Sequence, residues 1–205
     1  RPQNILRLGK EARERLTAVA GQKALVASEV PNPDLSENEA KVAGEFIERL
    51  LDSPAENSLV VIAPHGGEIE KWTDKQAEMV AKLLRATCWR CRGYQAEGGA
   101  GASSRWHITS TDIHEASFPL LHKIIERGFV NAVSFHGFSS LEEGDVAADI
   151  VIGGRAPKPL KRRIRQALMR ALPSDTVVEI AAAGGGILSS ARGVRSASEE
   201  ELLAP

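Results

Sequence analysis

His65, Glu70 and His136 are the residues of this 205-residue chain whose types and spacing best suit chemistry. His65 follows the apolar run Leu59 to Ala63, and His136 follows Val130 to Phe135. Each histidine is followed by glycine, Gly66-Gly67 in one case and Gly137 in the other, which leaves room for close approach. In open α/β sheets, sites form beyond the carboxyl ends of the strands. Glu70 lies five residues past His65, across a Gly-Gly turn able to fold it back beside the imidazole. Two imidazoles and one carboxylate, with a fourth position open, make the ligand set of a catalytic zinc ion. Two histidines merely hydrogen-bonded at loop edges is the alternative reading of the same spacing.

The elements that must hold these residues follow from apolar periodicity. Ser36 and Glu39 form a capping-box pattern, followed by Ala43, Phe46, Ile47, Leu50 and Leu51 at helical spacing, so one helix is expected up to Asp52-Ser53-Pro54. Leu59 to Ala63 reads as a buried strand stopped by Pro64, and Thr73 with Gln76 opens a helix whose Ala77, Val80, Ala81 and Leu84 share a face. Thr87 to Tyr94 is the next expected strand, followed by a Gly/Ala/Ser-rich loop from Glu97 to Ser104. A helix is expected around Phe118 to Arg127, ended by Gly128. Strands at Val130 to Phe135, Asp149 to Ile152 and Thr176 to Ala181 complete the sheet. A basic helix with the stripe Leu160, Ile164, Ala167, Leu168 and Ala171 comes before the last strand. A short acidic helix is expected from Ser196 to Leu203.

Alternating strands and helices, with several continuous apolar strands, predict a single-domain α/β fold. Its sheet is mixed or largely parallel and has helices on both faces. Residues 1–58 read as an N-terminal extension with the first helices, and residues 59–205 as the α/β core.

Composition narrows the classes. Hydrophobic residues make up 42% and charged residues 26% of the chain, enough for a packed core and too balanced for a disordered one. No apolar run approaches the ~20 residues of a membrane span, and Arg1-Pro2-Gln3 opens no signal-peptide core. The net charge of −1 conceals a basic block. From Arg155 to Pro173 there are seven basic residues (Arg155, Lys158, Lys161, Arg162, Arg163, Arg165, Arg170) and no acid, which points to an anionic partner. Aromatics are only 4% of the chain and none interleaves with this block, so a base-stacking nucleic-acid platform is disfavoured. Cys88-Trp89-Arg90-Cys91 carries a Cys-x-x-Cys spacing. It lies on an expected strand, where residues three apart face opposite sides, so a thiol function is disfavoured as well.

Four blocks in order carry a resemblance. They are Val61-Ile62-Ala63-Pro64-His65-Gly66-Gly67-Glu68-Ile69-Glu70, His107-Ile108-Thr109-Ser110-Thr111, Ala132-Val133-Ser134-Phe135-His136-Gly137 and Val151-Ile152-Gly153-Gly154. Their order and spacing resemble the phage-type poly-γ-glutamate hydrolase family. The resemblance implies a zinc peptidase with a carboxypeptidase-like α/β fold that cleaves γ-linked glutamate polymers. The metal ligands it implies fall on His65, Glu70 and His136. His107, inside its second block, is expected to donate to substrate or to the oxyanion, a tie from the loop to the backbone being the alternative. The family's closing strand with Gln-Leu-Glu, whose glutamate looks like the general base, has no counterpart here. Residues 186–195 offer serines instead, and Glu179 on the strand Val177-Val178-Glu179-Ile180 is the stand-in expected.

A polymer with a free α-carboxylate on every unit calls for cations near the cleavage point. Arg155, next to Gly153-Gly154, is the first candidate to grip it through paired hydrogen bonds, and Arg105 the second. Another zinc amidohydrolase or carboxypeptidase, or a degenerate metal-binding protein that holds polyanions without cleaving them, would fit the same ligand pattern.

Overall fold

The computed structural model describes residues 30–109, 113–138 and 148–181, together with Glu14 and Val19. The expected serine-rich segment at 186–195 and the acidic helix at 196–203 lie outside the described residues.

The first described helix, α1 (Glu37–Ala43), begins as the sequence predicts. Ser36 caps the Glu39 N–H, and the Glu39 carboxylate returns 2.8 Å to the Ser36 N–H. It ends earlier than expected, at Gly44, which is left-handed with φ 66°. A Cβ on Gly44 would stand 2.2 Å from the backbone nitrogen of Ala96, so only glycine fits there. The residues expected to continue the helix form strand β1 (Phe46–Leu51) instead. Their spacing imitates a helix because both faces of the strand are covered. Phe46 enters one apolar cluster, while Ile47 packs with Ala40 and Tyr94 on the other side.

Strand β2 (Leu59–Gly67) lies inside the sheet, between β3 (Thr87–Gly93) and β4 (Asn131–Ser134), parallel to both. β1 runs antiparallel along the far side of β3, giving the order β1-β3-β2-β4. The core alternates as a two-faced sheet requires. Val60, Ile62, Trp89 and Cys91 point into a cluster with Phe118, Leu121 and Trp106. Val61, Ala63 and Cys88 point to the other face, against Ala77 and Ala81 of α2 (Thr73–Leu84). The first face is covered by α3 (Ala102–Trp106), a short helix in the expected loop, and by α4 (Pro119–His122).

The expected helix over 118–127 is broken into α4 and a 3-10 turn (Ile125–Arg127) that ends at left-handed Gly128. The Ile124 and Arg127 N–H groups donate three residues back, which tightens the chain out of α-geometry. Glu48 pins the start of α4 from inside the core. Its buried carboxylate accepts from the Leu120 and Leu121 N–H groups and from the Trp89 indole.

The last strand does not close the main sheet. β6 (Val178–Ile180) pairs in parallel with β5 (Ile150–Ile152) as a separate two-stranded sheet, joined by the crossover helix α5 (Lys158–Ala171). Parallel neighbours need such a crossover, which is what the basic helix supplies. No helix among the described residues is long and apolar enough to cross a membrane.

Cys88 and Cys91 are buried on opposite faces of the main sheet and are not bonded to each other. Burial pushes the Cys88 thiol up to about 11 and the Cys91 thiol well above the ordinary range. Neither thiol is poised for redox chemistry.

Candidate metal centre

β2 does not stop at Ala63 as expected but continues through His65 to Gly67, with its pairing shifted between Ala63 and Gly66. Pro64 has no N–H to give to the ladder, and the irregularity accommodates it inside a central strand. Beyond the shift the two glycines are pressed by neighbours. A Cβ on Gly66 would lie 2.3 Å from that of Asp74 and 2.6 Å from the Cys91 carbonyl oxygen. Gly67, at φ 73°, donates to Asp74 Oδ1 at 3.3 Å. The room expected beside His65 is thus taken up by the start of α2.

From Gly67 the chain turns back. The Glu70 N–H donates to the His65 carbonyl at 2.8 Å, and the Thr73 hydroxyl donates to the Glu70 carbonyl at 2.8 Å. The closed turn sets the Glu70 side chain beneath three histidines. Oε1 stands 3.1 Å from His65 Nδ1 and 3.3 Å from His107 Nε2, while Oε2 stands 3.5 Å from His136 Nδ1. Oε2 also accepts from the Gly137 N–H at 2.8 Å. Gly137 keeps the second corner open, since a Cβ there would crowd the Glu70 Cβ at 3.1 Å. The His65 ring stacks on His107 with centroids 4.2 Å apart and meets His136 edge-on at 5.1 Å.

The partners behind the rings decide what the front atoms can do. His65 Nε2 is 2.7 Å from the Ile108 carbonyl oxygen, which can only accept, so this nitrogen carries a proton. In the neutral ring Nδ1 then presents a lone pair to a carboxylate oxygen 3.1 Å away. Two acceptors at that distance repel unless a proton or a cation joins them. His136 is also held from behind. Its Nε2 is held 2.9 Å from the Ser134 hydroxyl, and its buried Nδ1 makes no hydrogen bond. Burial alone would raise the Glu70 pKa, but the His136 and His65 rings and the Gly137 N–H outweigh it and hold the carboxyl well below the usual range. A carboxylate held ionised among three imidazoles, with the His65 and His136 rings fixed from behind, is a donor set that fits a divalent cation. His65, Glu70 and His107 offer ligand atoms within 4.8 Å of one another and could hold a metal ion.

The expected ligands His65, Glu70 and His136 therefore converge, and His107 joins them. The other expected residues do not. Arg105 is exposed at the end of α3, its guanidinium 4.2 Å from the centre of the Trp106 ring. Arg155 is exposed just past β5. Glu179 sits in the middle of β6, paired with Val151, and no hydrogen bond or ion pair joins it to the histidines among the described residues.

Sequence reasoning did not foresee the supporting groups: the Ile108 carbonyl, the Ser134 hydroxyl and the Gly137 N–H. Two of these are backbone atoms, which residue types cannot reveal. Ser134 was within reach, two residues before His136 and so on the same side of the strand. Nor did it foresee the ion-pair layer beneath the site. Arg92 meets Asp74 at 2.6 Å and also contacts Glu37, and Arg90 contacts Glu78. Charged residues on a central strand are uncommon, and both arginines are buried.

A family model described as poly-gamma-glutamate hydrolase matches residues 34–187, about three quarters of the chain. No curated protein and no solved structure matches it.

Proposed function

Because the chain belongs to the poly-γ-glutamate hydrolase family, we propose that it cleaves the γ-glutamyl amide bonds of that polymer at a zinc centre held by His65, Glu70 and His136. One observation carries the reading: imidazole nitrogens with fixed outer partners converge on a single buried carboxylate. His136 is preferred to His107 as the third ligand because its Nδ1 is buried and makes no hydrogen bond, while its Nε2 is held from behind by Ser134. When bound, zinc would supply Lewis acidity toward the amide carbonyl and toward water.

The chain's own residues supply the rest. Glu70 stays ionised across the working range and compensates the cation's charge. The Ile108 carbonyl fixes the tautomer of His65, and the Ser134 hydroxyl holds the His136 ring in place. His107 has 27% of its side chain exposed and Nε2 beside Glu70, which suits it to take a proton from the attacking water and pass it to the leaving amine. Arg105 lies two residues before His107 and stacks on Trp106 through its face, which keeps the edge donors of its guanidinium available to a substrate α-carboxylate. Arg155 would take a second carboxylate of the polymer. Glu179 has no contact that recommends it as the base, and it remains the weakest member of the proposal.

The test is digestion of poly-γ-glutamate and poly-α-glutamate by the zinc-loaded protein and by its His65→Ala variant, followed by chromatography of the products. Shortening of the γ-linked polymer alone, abolished in the variant, is the expected result. Equal cleavage of both polymers would make the protein a general amidohydrolase. Zinc binding without any cleavage would make it a binding protein.

A further inference from the structure

α5 carries its charge in two layers. Lys161 is buried and donates Nζ to the Gly154 carbonyl, and Arg165 donates Nε to the Val178 carbonyl at 2.6 Å. Those two fasten the helix to the small sheet. The other four cations of the helix, Lys158, Arg162, Arg163 and Arg170, are exposed, and no ion pair reaches them among the described residues. The segment from Arg155 to Pro173 contains no acid that could serve.

This pattern works against the helix itself. Its first turn has no acid and begins with Lys158, where the macrodipole favours negative charge. Lys158 and Arg162 are four residues apart, a like-charge pair on one face. Arg163 and Arg170 are seven apart and stack two turns along another. The cations are spread over about 18 Å of helix, from the rise of 1.5 Å per residue. A helix that repels itself in this way is relieved by an extended anion that lies along it.

We propose that the exposed basic face of α5 is a separate docking track for the acidic polymer, distinct from the cleavage site. The proposal rests on the reading of the substrate as poly-γ-glutamate. One carboxylate per unit, repeated along a flexible chain, can meet successive cations without fixed register, whereas a short oligomer cannot span them. The track raises the local concentration of polymer at the protein surface, an effect that falls with salt. Nucleic acid is the less fitting partner, because no aromatic residue lies among these cations to stack on bases.

Fluorescence anisotropy tests this with labelled poly-γ-glutamate and the full chain in chelator, so that binding proceeds without cleavage. Wild type should bind the polymer in low salt and release it at high salt. Arg162→Gln/Arg163→Gln/Arg170→Gln should bind about tenfold more weakly or worse, yet melt at the same or a higher temperature because self-repulsion is removed. With zinc restored, the same variant should show a raised KM on long polymer and unchanged kinetics on a short γ-glutamyl oligomer. Unchanged affinity in a folded variant would overturn the track. So would tighter binding of single-stranded DNA than of polymer at matched charge, which would assign α5 to nucleic acid. Binding that depends on α5 in a protein that never cleaves the polymer would sustain the track and overturn the hydrolase reading, so the two fail separately.

Discussion

The two histidine–glycine corners of this molecule share a motif but not an environment. His65 lies inside the central strand, with only 6% of its side chain exposed, between a carbonyl behind and a carboxylate in front. His136 follows an edge strand whose Asn131, Val133 and Ser134 are exposed, and 24% of its own side chain meets solvent. Glu70 joins them, one oxygen to each. The difference teaches that a site can be built from one rigid donor and one adjustable donor. The buried corner fixes position, and the edge corner leaves part of its imidazole open to solvent.

Breaking the shared member should have the largest effect. Glu70→Ala removes the acceptor common to both corners. It should lower kcat/KM on the polymer by roughly three orders of magnitude or more, as expected when a metal's several kcal/mol of transition-state stabilisation is lost. Steady-state kinetics with added zinc checks it.

Splitting the corners comes next. His65→Ala leaves the Ile108 carbonyl buried without its partner and should cost about 1–3 kcal/mol of stability as well as activity. His136→Ala should lose activity with a stability change of only about 0.5 kcal/mol, the usual range for a position near the surface. Urea denaturation of both variants without metal distinguishes them, and equal destabilisation would erase the contrast between the corners. A smaller effect is expected from Ser134→Ala, which frees the His136 ring. About 10- to 100-fold weaker zinc affinity should follow, with the apo fold intact.

The smallest effect sits in the ion-pair layer below the buried corner. Lys82 hydrogen-bonds the Glu78 carboxylate, and this together with the nearby Arg90 outweighs burial, lowering the Glu78 pKa from 4.5 to about 2. Because the folded-state value is depressed, the stabilisation is complete above about pH 4.5 and is lost as pH falls through about 2. Glu78→Gln should flatten that acid limb by at most ~1 kcal/mol, since the carboxylate is partly screened by solvent. Thermal melts between pH 5 and pH 2 would show it.

How far the sequence revealed this arrangement differs between the same two corners. Each histidine stood out because an apolar run and a glycine flank it, yet only His136 follows its strand, while His65 lies inside β2. Glu70 was legible from its distance past a Gly-Gly turn. Phe46 to Leu51 was misread, because a strand covered on both faces can copy helical spacing and only Gly44 marks the break. The reach of β2 past Pro64 was hidden, since a bulge that accommodates proline leaves no trace in residue pattern. The separate β5–β6 sheet was likewise illegible, as apolar strands do not say which neighbour they pair with. Glu179 was proposed by elimination in that region, and its position in β6 gives it no partner in the histidine cluster.

The most direct test is the metal content of purified protein reconstituted with zinc and dialysed. Wild type, His107→Ala, His136→Ala and Glu70→Ala should be measured side by side by elemental analysis. About one zinc per chain is expected in wild type and His107→Ala, and loss in the other two. Stoichiometric zinc in Glu70→Ala, or none in wild type, would contradict it, and retention in His136→Ala with loss in His107→Ala would move the third ligand to His107.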